Sequence, residues 1–249
     1  MDQFFSREWD GTPFELFGTP HIIALMIVAL INVALIAFGQ RLSPHRRKVI
    51  RNTLASILIT NEALWHLWNW TTGQWTIQTM LPLHLCSILV FMSAILLVNK
   101  SYGLYEFVYL LGIAGALQAL LTPDAGAYGF PHFRFFQVII SHGSIVTAAI
   151  YMTAVEGYRP TLQSIKRILI RGNIYAVFVG IVNALLGSNY LFIAHKPKTA
   201  SLLDVLPPWP WYLPILELLA VIIVGLLYLP FAIKDLKARQ ATPDAAALT

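Results

Sequence analysis

Cys86 and His142 are the residues of this 249-residue chain whose side chains could carry out covalent chemistry together. Cys86 is the single cysteine, set in "LPLHLCSI" from Leu81 to Ile88, and His142 lies in "ISHGS". One cysteine excludes an internal disulfide. A thiol in purely apolar surroundings is unreactive, so a nucleophilic role needs a base nearby, and an imidazole at the same depth can serve. A thiol nucleophile here would attack an ester and become a thioester. The plainer readings are that Cys86 is a small apolar filler and that His142 makes a helix-to-helix hydrogen bond.

The elements that must position this pair are membrane helices. Hydrophobic residues make up 57% of the chain and charged residues 12%, with a mean hydropathy of +0.65, far from a soluble domain. Stretches long enough to cross a ~30 Å hydrocarbon layer fall near residues 20–39, 50–69, 81–98, 104–121, 134–154, 172–192 and 212–233. The fold class predicted is an all-α polytopic membrane protein, a single domain over residues 1–249 with a bundle of seven transmembrane helices. Short loops rich in Lys and Arg stay cytoplasmic. Arg41, Arg46, Arg47, Lys48 and Arg51 crowd the first loop, Lys100 the third, and Arg159, Lys166, Arg167 and Arg171 the fifth, while Lys234, Lys237 and Arg239 follow the last span. The alternate segments hold Arg7, Arg134, Lys196 and Lys198. The N-terminus is therefore expected outside, with a short acidic tail over 1–19, and the C-terminus cytoplasmic, with a disordered tail over 238–249. The start of the chain lacks the positive n-region of a cleavable signal peptide. The net charge of +5 suits anionic lipid rather than nucleic acid.

With that topology, nearly all intramembrane polar residues fall in the outer half of the bundle. They are Glu62, His66 and Asn69 in the second span, His84 and Cys86 in the third, Gln118 in the fourth, His142 in the fifth, Asn183, Asn189 and Tyr190 toward the end of the sixth, and Glu217 in the seventh. Loop residues Asp124 and Asp204 and all seven tryptophans lie on the same side. An aromatic belt accounts for many of the tryptophans, but buried Glu62, His142 and Glu217 require partners or a watery cavity. At ~1.5 Å per residue, Cys86 lies roughly 8 Å and His142 about 12 Å below the outer edge. Thr79 could cap the third helix with Pro82 in its first turn, bringing Cys86 near the positive helix end.

"LPLHLC", "LLTPD", "SHG", "NYLFIAHKP" and "LLDVLPPWPWY", in that order from Leu81 to Tyr212, resemble the motifs of the YwaF-like bacterial membrane proteins, a family related to eukaryotic transmembrane protein 164. The eukaryotic relative is an acyltransferase of ether phospholipids that uses a cysteine to carry the acyl group and a histidine in a later span. Cys86 matches that cysteine and His142 that histidine. The resemblance thus implies a phospholipid acyltransferase of a bacterial cytoplasmic membrane. In the first half-step Cys86 attacks a donor phospholipid ester, in the second a lysophospholipid hydroxyl resolves the acyl-enzyme, and His142 is the base in both. His84, Gln118 and Asn183 are candidate oxyanion donors, while Glu62, Asp124 or Glu217 could orient the histidine. His66, Asn189, Tyr190 and Asp204 complete the candidate support and substrate-binding set.

Two rivals use the same residues. A lipid or small-molecule transporter or binding protein could use the outer polar cavity without catalysis, although the chain shows no internal repeat of the kind transporters favour. A seven-span metal-dependent lipid hydrolase could draw on His66, His84, His132 and His142. No two histidines lie three or four residues apart as helical metal ligands do, so no metal is expected. No nucleotide motif is present and no cofactor is implied. Glu106 and Glu156 read as solvated charges at the cytoplasmic ends, and Gly112 and Gly115 as small residues that admit a neighbouring helix.

Overall fold

Helices start and stop where local chemistry permits in the computed structural model, which describes residues 3–197 and 202–246. α1 (Thr19–Phe38) places Pro20 in its first turn, where the missing N–H has no partner to lose. α2 (Pro44–Thr71) is capped by Ser43, whose Oγ accepts from the Arg46 N–H at 3.4 Å. α3 (Leu85–Asn99) follows His84 and ends at Lys100 in a left-handed conformation, φ 57°. α4 (Tyr102–Leu121) contains one π turn over Val108–Gly112. α5 (Phe133–Ala154) is capped by His132, whose Nδ1 accepts from the Arg134 N–H at 3.0 Å. α6 (Leu162–Leu186) opens with a Thr161–Ser164 capping box and stops at Gly187, whose φ of 63° favours glycine. α7 (Tyr212–Ala246) is the longest. Among the described residues there is no strand.

Several boundaries differ from the sequence reading. α3 begins at Leu85, so Thr79 is not its cap and Pro82 lies before the helix, leaving Cys86 as its second residue. α6 begins ten residues before the expected span because Thr161 and Ser164 nucleate it, and Lys166, Arg167 and Arg171 ride on the helix rather than in a loop. α7 continues through most of the tail expected to be disordered. Lys198, counted in the topology, and residues 247–249 lie outside the described residues. Among the described residues five helices, α1, α4, α5, α6 and α7, are long and apolar enough to cross a membrane. α3 has only 15 residues, and α2 carries Arg51, Asn61, Glu62 and Asn69, all buried, within its length.

The burial pattern sorts the bundle. In α5, 78% of the apolar window is buried, against 11% for α1, 17% for α6 and 6% for α7. α5 is thus the central post, with α1, α2, α3 and α4 packed directly on it. The outer helices turn Leu, Ile, Val and Phe outward, as Leu30, Val177 and Leu226 do. Helices that are apolar toward the outside need hydrocarbon around them, and the chain is an integral membrane protein.

Successive helices alternate in direction, so the bundle has a tryptophan-rich end and a basic end. At the basic end the structure corrects the reading of Glu106 and Glu156 as solvated. The Glu106 side chain is 1% exposed and grips Arg167 through both oxygens, with Arg171 at 3.7 Å. Glu156 is 8% exposed, pairs with Lys100 at 2.6 Å and lies 3.5 Å from Arg51. Burying a carboxylate demands a partner, and the basic residues that read as loop charges supply it.

Candidate functional site

Glycines on α4 let three helices meet at the tryptophan-rich end. A Cβ built on Gly112 would stand 3.1 Å from Ile145 Cγ2 of α5 and 3.6 Å from Leu89 Cδ2 of α3. One turn further along α4, a Cβ on Gly115 would lie 3.3 Å from Leu85 Cδ2 and 3.7 Å from Cys86 Sγ. Tyr105 on α4 bonds to Thr153 on α5 at 2.9 Å, so these two helices run antiparallel. The residue one turn from Ile145 in the same direction is His142, because residues three apart share a helix face. Cys86 on α3 thus packs beside Gly115, and His142 lies one turn from Ile145 on α5.

The His142 ring is oriented by its own helix. Its Nδ1 lies 2.7 Å from the Val138 carbonyl oxygen. A carbonyl only accepts, so Nδ1 carries the proton and Nε2 keeps its lone pair. Cys86 sits in the first turn of α3, where backbone N–H groups lack helical partners and the dipole favours negative charge.

The segment leading into Cys86 is pinned from α6 and the turn after it. The Tyr190 hydroxyl donates to Ile77 O at 2.6 Å and accepts from the Leu81 N–H at 2.9 Å. The Tyr175 hydroxyl donates to Leu83 O at 3.0 Å, and His84 Nδ1 accepts from the Leu191 N–H at 3.3 Å. Leu191 and Phe192 both have positive φ, 59° and 53°. Such backbone costs on the order of 1–2 kcal/mol per residue and persists only when surroundings enforce it. Asn183 is the enforcer: its amide donates to Tyr190 O at 2.9 Å while its Oδ1 accepts from the Tyr190 N–H and the Ser188 hydroxyl, both at 2.8 Å. Both ends of that amide are engaged, so Asn183 builds the turn, with one amide N–H beyond those bonds. Asn189 is likewise occupied within the loop, by Ala194 and His195.

Other candidates gather on the α2 side. Glu62 is buried, with Oε1 3.5 Å from His66 Nε2, and His66 Nδ1 accepts from the Trp75 indole at 3.1 Å. Arg134, read from the sequence only as a loop charge, proves central. Its guanidinium lies 4.1 Å over the Trp65 ring, donates to the Asp124 carbonyl at 2.8 Å, and bonds to Gln137 Oε1. Among the described residues no carboxylate is within ion-pair distance of Arg134. A signal for it was available: an arginine one turn before a glutamine at the start of a span, on a chain whose other span-end cations lie at the opposite end.

Three candidates are not brought to the pair. Glu217 is exposed and accepts from Asn173 Nδ2 at 2.9 Å, tying α7 to α6. Gln118 is exposed beside Thr122, and Asp204 is exposed in the turn Leu202–Val205. The histidines hold separate partners as well. His132 Nε2 donates to Ser6 O at 2.9 Å, and burial holds its imidazole below the usual histidine range. Among the described residues no three His, Cys, Asp or Glu side chains are grouped to hold a metal ion.

No curated protein and no solved structure matches the chain. One family model does, that of the TMEM164 family, over residues 16–228. That stretch runs from the approach to α1 well into α7 and takes in Cys86, Gly115, Arg134, His142 and the turn that pins them, so the chain belongs to the TMEM164 family.

Proposed function

We propose that this protein is a membrane-embedded phospholipid acyltransferase that works through a Cys86 thioester, with His142 as base. What supports the reading is the place of Cys86 in the first turn of α3 against Gly115, together with a His142 ring held so that Nε2 is the free acceptor. The resemblance of "LPLHLC" and "SHG" to an acyltransferase's motifs supports the same assignment.

In the first half-step His142 Nε2 takes the Cys86 proton as sulfur attacks the ester carbonyl of a donor phospholipid. The C–O bond breaks, and the proton passes from Nε2 to the departing lysophospholipid oxygen. In the second, a lysophospholipid hydroxyl attacks the thioester carbonyl and gives its proton to Nε2. The C–S bond then breaks, and Nε2 returns the proton to sulfur. The oxyanion has ready donors in the free N–H groups of the first turn of α3. In this reading all seven helices cross a bacterial cytoplasmic membrane, with the N-terminus and the site on the outer side and the basic end in the cytoplasm.

The test is intact mass of detergent-purified protein incubated with phospholipid. We expect an acyl adduct on the wild type that hydroxylamine removes, absent in Cys86→Ala and slow to form in His142→Ala. No adduct with any phospholipid class, while lipid binding is retained, would overturn catalysis in favour of a binding role.

A further inference from the structure

A long cleft lies on another face of α5. α1 and α2 both lean on α5, and between them runs a cleft of about 880 Å³. Its walls include Ile23, Ile31 and Leu35 of α1 and Ile50 and Thr53 of α2, with Gly143 at its back. Gly143 marks the closest approach of α1, since a Cβ there would stand 3.0 Å from Val28 Cγ2. From Thr19 to Leu35 the lining extends roughly 24 Å at the helical rise, most of a hydrocarbon layer. The polar atoms in its walls are hydroxyls such as those of Thr53, Ser144 and Thr147, and Thr147 already donates to the Gly143 carbonyl at 2.7 Å. An open apolar cleft within hydrocarbon is filled by hydrocarbon, because bare walls forfeit their dispersion contacts.

One end of the cleft is basic, and the basic residues there divide into two groups. Arg47 is committed to the carbonyls of Gln40, Leu42 and Val155, and Arg51 to Glu156. Arg41 and Arg46 are not. Both are exposed, and among the described residues neither guanidinium makes an ion pair; Arg41 lies 5.6 Å over the Phe38 ring. Arg46 precedes Ile50 by one turn and so continues the wall of the cleft. Arg41 closes the short turn Gly39–Arg41 that carries α1 toward α2.

We propose that this cleft binds one anionic phospholipid, with its acyl chains between α1 and α2 and its phosphate at Arg41 and Arg46. The site is separate from the Cys86–His142 pair. Ile139, Gly143 and Thr147 line the cleft, whereas Val138, His142 and Ile145 lie on the face of α5 turned to its own carbonyl ladder and to α4. Its occupant is a structural or regulatory lipid, whatever reaction the thiol performs.

Native mass spectrometry of the full chain from detergent micelles tests this, with phosphatidylglycerol, phosphatidylcholine or diacylglycerol of identical chains added singly. Two basic residues facing one anionic head group should favour phosphatidylglycerol over phosphatidylcholine by about tenfold. The double substitution Arg41→Glu with Arg46→Glu should reduce that preference to parity. Ile31→Trp, which fills the cleft, should remove retention of phosphatidylglycerol. Thr53→Leu and the milder Arg41→Gln with Arg46→Gln provide the same two readouts if a stronger variant does not fold. Equal retention of phosphatidylglycerol and phosphatidylcholine by the wild type, an unchanged preference in the arginine variants, or phosphatidylglycerol retention that survives the filled cleft would each overturn the proposal.

Discussion

A side chain on Gly115 would press toward the thiol that the proposed chemistry needs. The methyl of Gly115→Ala would lie 3.7 Å from Cys86 Sγ and 3.3 Å from Leu85 Cδ2, a tight but ordinary fit. Gly115→Val adds two more carbons in the same direction. We expect Gly115→Ala to slow thioester formation and Gly115→Val to abolish it, with an overpacking cost of about 1–3 kcal/mol, read by intact mass and thermal unfolding on the same samples. A Gly115→Val protein that acylates at the wild-type rate would show that bulk at this position does not hinder the Cys86 thiol. At this scale Cys86 and His142 were singled out by residue type, expected depth and resemblance. Arg134 was counted only as a charge, which said nothing of Trp65 and Asp124 folding back to hold it. Asn183 was legible as buried and polar, but its partners come from a turn whose positive φ angles leave no mark in the sequence.

Among elements, the basic end shows how α2, α3 and α5 are locked. Glu156, just past the end of α5, faces both Lys100 and Arg51. Removing a buried carboxylate strands the charge that it neutralised, and the Arg51 side chain is only 10% exposed. We expect Glu156→Ala to cost about 3–5 kcal/mol, whereas Lys100→Ala, whose side chain is 41% exposed, should cost under about 1 kcal/mol. Denaturant unfolding in micelles would measure both, and equal losses would mean that Arg51 is not held by Glu156. Helix existence was legible from hydropathy, since all seven apolar stretches became helices. Boundaries were less so. The α6 start depends on a Thr161–Ser164 capping box ten residues before the apolar run, and the α3 start is delayed to Leu85 by hydrogen bonds from Tyr175 and Tyr190, far away in sequence.

For the molecule as a whole, the alternation of basic and tryptophan-rich ends followed from charge counting, and the structure keeps Cys86, Glu62, Arg134 and His142 at one end. The packing order did not follow, because a hydropathy profile does not say which span is central; the buried serines, threonines and small residues of α5 did carry that information. α4 joins the two ends of the bundle, fastening Glu106 to Arg167 at one and presenting Gly115 to Cys86 at the other. Between them lies the π turn Val108–Gly112. A π turn closes its hydrogen bonds over five residues instead of four, so it holds about one residue more than an α turn for the same rotation. α4 therefore carries a spare residue, and its two halves are phased as if that residue were missing. Deleting Leu111 should let the turn relax to α-helix and leave both contacts in place, whereas deleting Ala114 would turn Gly115 by about 100° away from Cys86. Unfolding temperature and thioester formation in the two deletion variants would check this, and equal damage in both would mean that the π turn does not absorb the extra residue.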